Sequence, residues 1–267
     1  MAEDRATTAS LTAHLRELRK RIIISIAALA AGFIISYAFS DKLYHLLTGP
    51  LIPAMPEGFD FIAFTGVVEP FFVYIKVGFL GAVVLASPVI LYEAWAFVAP
   101  GLYGNERRWF IALVVVSLLL FLSGVIFAFF VVFPFAFKYL LSYASEDLRP
   151  ILSMNSYFSL VTRLLLAFGI VYQLPLAILV LARMGLVTAG QLVSWWRYAV
   201  LAIVTAAAVL TPTPDIFNQL LMAGPLLVLY ALGVVVAKVF GKKKETVEEE
   251  GEGTDEGKTE DRDEDVE

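Results

Sequence analysis

The chain contains no cysteine and only two histidines, His14 and His45. The first absence excludes disulfides, thiolate nucleophiles and cysteine-based metal sites. The second leaves no histidine cluster that could hold a metal within one chain. Charge is also scarce: 17% of the 267 residues are Asp, Glu, Lys or Arg, against about a quarter in a soluble domain. A phosphate loop of the G-x-x-x-x-G-K type is missing, so nothing in the chain is built to hydrolyse a nucleotide. Without a thiol, a paired histidine or a serine-centred motif, the chain is not expected to be an enzyme. No catalytic residue, metal, cofactor or nucleic-acid partner is assigned.

What fills the sequence is apolar. Hydrophobic residues make up 59% and the mean hydropathy is +0.78, values of an all-α polytopic membrane protein. The net charge of −5 misleads, because much of the acid lies in residues 245–267; the rest of the chain is basic. That tail is nearly all Glu, Asp, Gly, Thr and Lys and cannot bury a core.

Six spans follow from run length at about twenty residues each: residues 22–39, 71–97, 109–133, 157–181, 199–210 and 216–237. The fifth and sixth read as short. Residues 1–10 are small and polar and read as loosely held. Residues 11–21 place Leu11, Leu15 and Leu18 at helical spacing, which predicts an amphipathic surface helix with Thr12 as a candidate N-cap. No cleavable leader is read, since the first apolar run is too long and lacks an A-x-A site. Residues 40–70 and 134–155 read as loops. The division is a cytoplasmic segment 1–21, a six-helix domain 22–240 and a disordered acidic tail 241–267. Lys and Arg cluster at residues 16–21, at Arg107 and Arg108, at Arg183 and Arg197, and at 238–244. With an even number of spans, that bias predicts both termini in the cytoplasm.

The stretch SPVILYEAWAFVAPGLYGNERR (residues 87–108) is too rich in Trp, Phe, Pro, Gly and charge for a plain turn. With HLRELRKR (14–21), FAFFVVFPFAF (127–137), AFGIVYQLP (167–175) and LTPTPDIFNQLLMAGPLLVLY (210–230), it resembles the TatC family. That family supplies the multispanning receptor of the twin-arginine translocase. The resemblance implies a concave helical receptor in the cytoplasmic (inner) membrane for twin-arginine signal peptides of folded cargo. It also implies other TatC copies, TatA and TatB type single-span partners and transport driven by the proton-motive force.

The same resemblance places signal-peptide binding on Glu17, Glu106 and Phe97, with Leu15 and Arg19 beside them. Carboxylates suit that ligand, because they bind planar guanidiniums in charge-assisted, often bidentate pairs. Each acid has a plainer reading: Glu17 paired with Arg21 at i,i+4, and Glu106 complementing a helix dipole. Arg107 and Arg108 read as topology anchors. Gln173 stands where the family commonly carries Glu, and it either holds water or a partner helix in a wet face or makes an interhelical hydrogen bond. Gln219 and Tyr230 match positions at which partner helices dock. Pro50 matches a functional loop position or forms a turn; Asp215 matches a loop acid or caps the sixth helix. Glu69, Lys76, Glu93 and Arg163 are expected to face the bundle, a wet cavity or headgroups, and Glu93 needs a partner the sequence does not identify. A secondary transporter of a small solute is the alternative, since proline-broken spans suit one too.

Overall fold

The computed structural model describes residues 2–51, 55, 62–64, 66–98, 107–142, 152–211 and 215–241, with the side chains of 2–13 and 107 left aside. Among the described residues, five helical stretches are long and apolar enough to cross a bilayer: His14–Ala38, Glu69–Val98, Arg108–Leu141, Met154–Arg183 and Ile216–Phe240. Trp196–Leu210 is a shorter apolar helix.

The first helix, α1 (Ala2–Ala38), is continuous. Thr12 therefore lies inside a helix and is not its N-cap. No Pro or Gly occurs between residues 2 and 31, so nothing separates the surface segment from the span. After Phe39 comes α2 (Ser40–Thr48), inside what the sequence presents as a loop. It docks through Leu47, which is buried, and through the Tyr44 ring, stacked on Phe158 at 5.0 Å. The Gly49-Pro50 turn follows, closed by Leu51 N–H donating to the Thr48 carbonyl at 3.0 Å. Leu51 is fully buried, so this turn is packed into the core.

Helix α3 (Glu69–Val98) lies antiparallel to α1. Successive contacts pair His14 with Phe97, Arg21 with Glu93, Gly32 with Ala82 and Tyr37 with Gly78. The third span comprises α4 (Arg107–Phe127), a π-helical turn Ala128–Val132 and α5 (Phe133–Leu141). Pro134 does not end the span as expected. The wide turn lies just ahead of it, where a missing N–H and ring crowding disturb the regular ladder.

Helices α6 (Met154–Val171) and α7 (Leu174–Arg183) form the fourth span, with a break at Tyr172-Gln173 just before Pro175. Gly185, at φ 75°, closes α7 in the left-handed geometry glycine permits. A capping box of Thr188 and Gln191 then opens α8 (Ala189–Ser194). The fifth span, α9 (Trp196–Leu210), has 15 residues, about 22 Å at 1.5 Å per residue. That is less than the roughly 30 Å of hydrocarbon. The sixth, α10 (Ile216–Phe240), has 25 residues and is full length, not short. It runs through Pro225 and continues to Phe240.

The core wraps α6, whose Phe158, Val161, Leu164 and Phe168 are fully buried among residues of α3, the π turn, α9 and α10. Helices α4 and α6 cross closely at glycine. A Cβ on Gly124 would sit 2.6 Å from the Phe168 carbonyl oxygen, and one on Gly169 would sit 2.6 Å from the Phe121 ring. Small residues allow such contact where van der Waals packing, rather than water exclusion, holds helices together. Large apolar side chains such as Ile34, Leu119, Val209 and Val228 remain on the outside, as a lipid-facing surface requires.

Candidate functional site at the amino-terminal end of the bundle

Helical spacing puts Glu17 and Arg21 one turn apart on α1, and Glu93 and Phe97 one turn apart on α3. Antiparallel packing brings the two pairs together. Arg21 donates from Nε and Nη2 to Glu17 Oε1, at 3.1 and 2.5 Å, and from Nη1 to Glu93 Oε2 at 3.0 Å. One guanidinium thus spans two carboxylates of unlike exposure. The Glu93 side chain is 11% exposed and that of Glu17 is 41% exposed. The His14 ring stacks on Phe97 with centroids 4.4 Å apart. Leu15 and Arg19 are exposed beside this cluster. The end of the bundle therefore presents a carboxylate, an aromatic face and an aliphatic side chain within a few residues of each other.

Two residues beyond Glu93, a second network leads inward. Trp95 Nε1–H donates to Ser117 Oγ, and Ser117 Oγ–H donates to Gln173 Oε1, each at 2.8 Å. Gln173 Nε2–H returns a bond to the Ser117 carbonyl, also at 2.8 Å. Ser117 is fully buried. Three spans are joined by neutral groups, and both ends of the Gln173 amide are used. This favours the interhelical hydrogen bond of the two readings of Gln173.

Residues 13–225 match the family described as Sec-independent protein translocase protein (TatC). The chain belongs to the TatC family. It is 46% identical over 239 residues to the Sec-independent protein translocase protein TatC of Desulforapulum autotrophicum, spanning 90% of this chain and 88% of that one. To the Escherichia coli K12 protein of the same description it is 40% identical over 242 residues, 91% and 93% of the two chains. Among solved structures, "Crystal Structure of Twin Arginine Translocase Receptor- TatC" superposes with a TM-score of 0.76 at 38% identity, covering 85% of this chain and 98% of that one. Membership makes the chain a multi-pass component of a protein translocase, a transport protein rather than an enzyme.

Against this TatC fold the remaining site residues can be placed. Glu106 lies outside the described residues, as do residues 245–267 of the acidic tail. Asp215 caps α10, accepting from Asn218 N–H at 2.7 Å and from Asn218 Nδ2 at 3.0 Å. Gln219 Nε2 donates to the Val204 carbonyl at 3.1 Å, tying α10 to α9. The Tyr230 hydroxyl donates to the Leu192 carbonyl at 2.7 Å, tying α10 to α8. Pro50 sits at the opposite end of the bundle from Glu17, in the turn after α2.

Glu69 and Lys76 are also at that opposite end. Glu69 accepts from Gly66 N–H, Ser153 Oγ–H and Asn155 N–H at 3.2, 2.9 and 2.6 Å. Lys76 Nζ donates to Asn155 Oδ1 and Ser159 Oγ at 2.5 and 2.7 Å. Arg163 is exposed on α6 and has no ion-pair partner among the described residues.

His14, Arg21, Trp95 and Ser117 join these networks without a binding signature of their own in the sequence. Ser117 was detectable as an isolated hydroxyl within a long apolar run. Its partners, 22 and 56 residues away, were not.

Proposed function

We propose that the amino-terminal end of this bundle receives twin-arginine signal peptides; the solved relative is a twin-arginine translocase receptor. One observation carries the reading: Glu17 already holds a guanidinium, next to the exposed Leu15 and the ring of Phe97. An incoming arginine would find a charge-assisted acceptor there, with apolar surface for the residues flanking it. Glu106 supplies the second acid in this reading, and Arg19 borders the site.

The chain then acts as the receptor of a complex in the cytoplasmic membrane that exports folded proteins, driven by the proton-motive force. The clustering of Lys and Arg supports both termini in the cytoplasm, with residues 1–21 and the acidic tail on that side. TatA and TatB type single-span helices are the proposed partners, together with further TatC copies. The exposed apolar side chains of Leu201, Val209, Phe217 and Leu220 on α9 and α10 suit such a helix near Gln219.

Photocrosslinking in membranes tests this. A twin-arginine signal peptide should crosslink less to Glu17→Ala and to Glu106→Ala, and export should fall with it. Wild-type crosslinking and export in both variants would overturn the assignment. Deleting the chain should leave twin-arginine cargo in the cytoplasm; unchanged export with lost solute uptake would favour the small-solute transporter.

A further inference from the structure

Lys76 lies inside a span, yet its ammonium donates to two neutral groups, Asn155 Oδ1 and Ser159 Oγ at 2.5 and 2.7 Å. It has no ion pair among the described residues. Arg163 follows Ser159 by four residues, so Asn155, Ser159 and Arg163 form one stripe of α6. Two cations therefore border the same stripe, where charge without a counter-ion is expensive. Glu69 shares a neighbouring cavity with Lys76. Its carboxylate is turned to Gly66, Ser153 and Asn155, and it forms no ion pair with Lys76 or Arg163.

Beside Lys76 the wall of the bundle is hollowed. A groove of about 490 Å³ runs between α1, α3 and α6, lined by Ile26, Phe33, Ile75, Phe79 and Thr162 together with Lys76. Its α1 side, from Ile26 to Phe33, is about 10 Å long at 1.5 Å per residue. Lys76 Nζ reaches Asn155 in the first turn of α6, while Thr162 lies two turns deeper. The charge thus stands at the outer end of the groove, and the apolar part leads toward the bilayer centre.

We propose that this groove holds an acyl chain of a phospholipid whose phosphate is bound by Lys76 and Arg163, at the end of the bundle opposite Glu17. The phosphate supplies the anion that both cations lack, accepting charge-assisted hydrogen bonds from ammonium and guanidinium alike. Both side chains are long enough to carry their charge toward the headgroups while their stems stay in apolar surroundings. A partner helix fits less well. A helix about 10 Å across fills roughly 800 Å³ over that length, more than the groove offers.

Native mass spectrometry of the full chain in detergent, given phosphatidylglycerol or diacylglycerol, tests the site. The wild type should retain phosphatidylglycerol and release diacylglycerol. Lys76→Gln should bind phosphatidylglycerol about ten-fold more weakly, the effect of one lost hydrogen bond to a charged group, and Arg163→Gln should also weaken it. Ala30→Phe keeps both charges but fills the groove from an exposed position, and it too should weaken binding. Lys138→Gln removes an exposed cation on α5 and should change nothing.

Equal retention of the two lipids would overturn the proposal, as would wild-type retention in Lys76→Gln. An equal loss in Lys138→Gln would do the same, by showing a diffuse attraction of anionic lipid to the surface. A photoreactive residue in place of Phe79 should give lipid adducts in membranes. Capture of a single-span helix or a second copy there instead would make the groove a protein interface and overturn the lipid. Should Lys76→Gln fail to fold, Ala30→Phe and Arg163→Gln decide.

Discussion

Replacing Gln173 by leucine removes both ends of the amide that ties α4 to the break between α6 and α7. Two hydrogen bonds to Ser117 are lost. The bond from Trp95 can persist, because Ser117 Oγ–H can turn to a carbonyl of its own helix. Side-chain hydrogen bonds between membrane helices average about 0.6 kcal/mol and reach about 1.7. The pair is then worth roughly 1–2 kcal/mol, about a tenfold change in the unfolding equilibrium at 1.4 kcal/mol per decade. Gln173→Glu is the sharper probe. A protonated acid can donate to the Ser117 carbonyl and accept from its hydroxyl as the amide does. A carboxylate cannot donate, and it places a charge among apolar helices. The glutamate variant should therefore approach wild-type stability at acid pH and lose it as the pH rises, whereas the leucine variant should show no such dependence. The assay is unfolding in mixed micelles, followed by Trp95 emission in a background with the other tryptophans replaced by phenylalanine. Because Trp95 donates directly to Ser117, its emission reports the network as well as the fold. Wild-type stability and emission in Gln173→Leu would refute the reasoning, as would a glutamate variant whose stability ignores pH.

Two further expectations concern the scaffold. Gly124→Ala should destabilise the chain by about 1–3 kcal/mol, the usual cost of overpacking, because its new Cβ would meet the backbone oxygen of Phe168 rather than a movable side chain. Thermal unfolding in detergent measures this, and an unchanged midpoint would contradict the close crossing of α4 and α6. Asp215→Ala should cost about 1 kcal/mol as a lost N-cap, while Asp215→Ser should recover most of it. Equal stability of the two variants would remove the capping role.

The apolar runs located every span, because a helix facing lipid on one side and helices on the other is apolar nearly all round. The ends were less legible. The apolar run 109–133 stops at Pro134, yet a π turn precedes that proline and the helix continues through it to Leu141. Helix α2 was hidden because its nine residues lead directly into Gly49-Pro50, and short helices depend on tertiary docking more than on propensity. The need of Glu93 for a partner was legible from its depth alone. That the partner is Arg21, 72 residues away, depends on the register of α1 against α3. For Glu17 both expectations can hold together: it pairs with Arg21 as helical spacing predicts, and that pairing gives its proposed role a competitor. Gln173 showed its polarity in the sequence, but not its use of both amide ends on one buried serine.

Glu69 has a consequence for how the chain is made. Its carboxylate takes a local bond from Gly66 and two from Ser153 and Asn155, 84 and 86 residues later. At about 5–20 residues per second of synthesis, those later donors emerge roughly 4–17 s after Glu69 itself. Through that interval the Ser153 and Asn155 donors are absent, and a carboxylate without them is held at least cost where water reaches it, at the membrane surface. The arrival of α6 then closes the clamp. A nascent bundle in which the fourth span enters at the wrong depth lacks the Ser153 and Asn155 bonds to Glu69 before the last two spans exist.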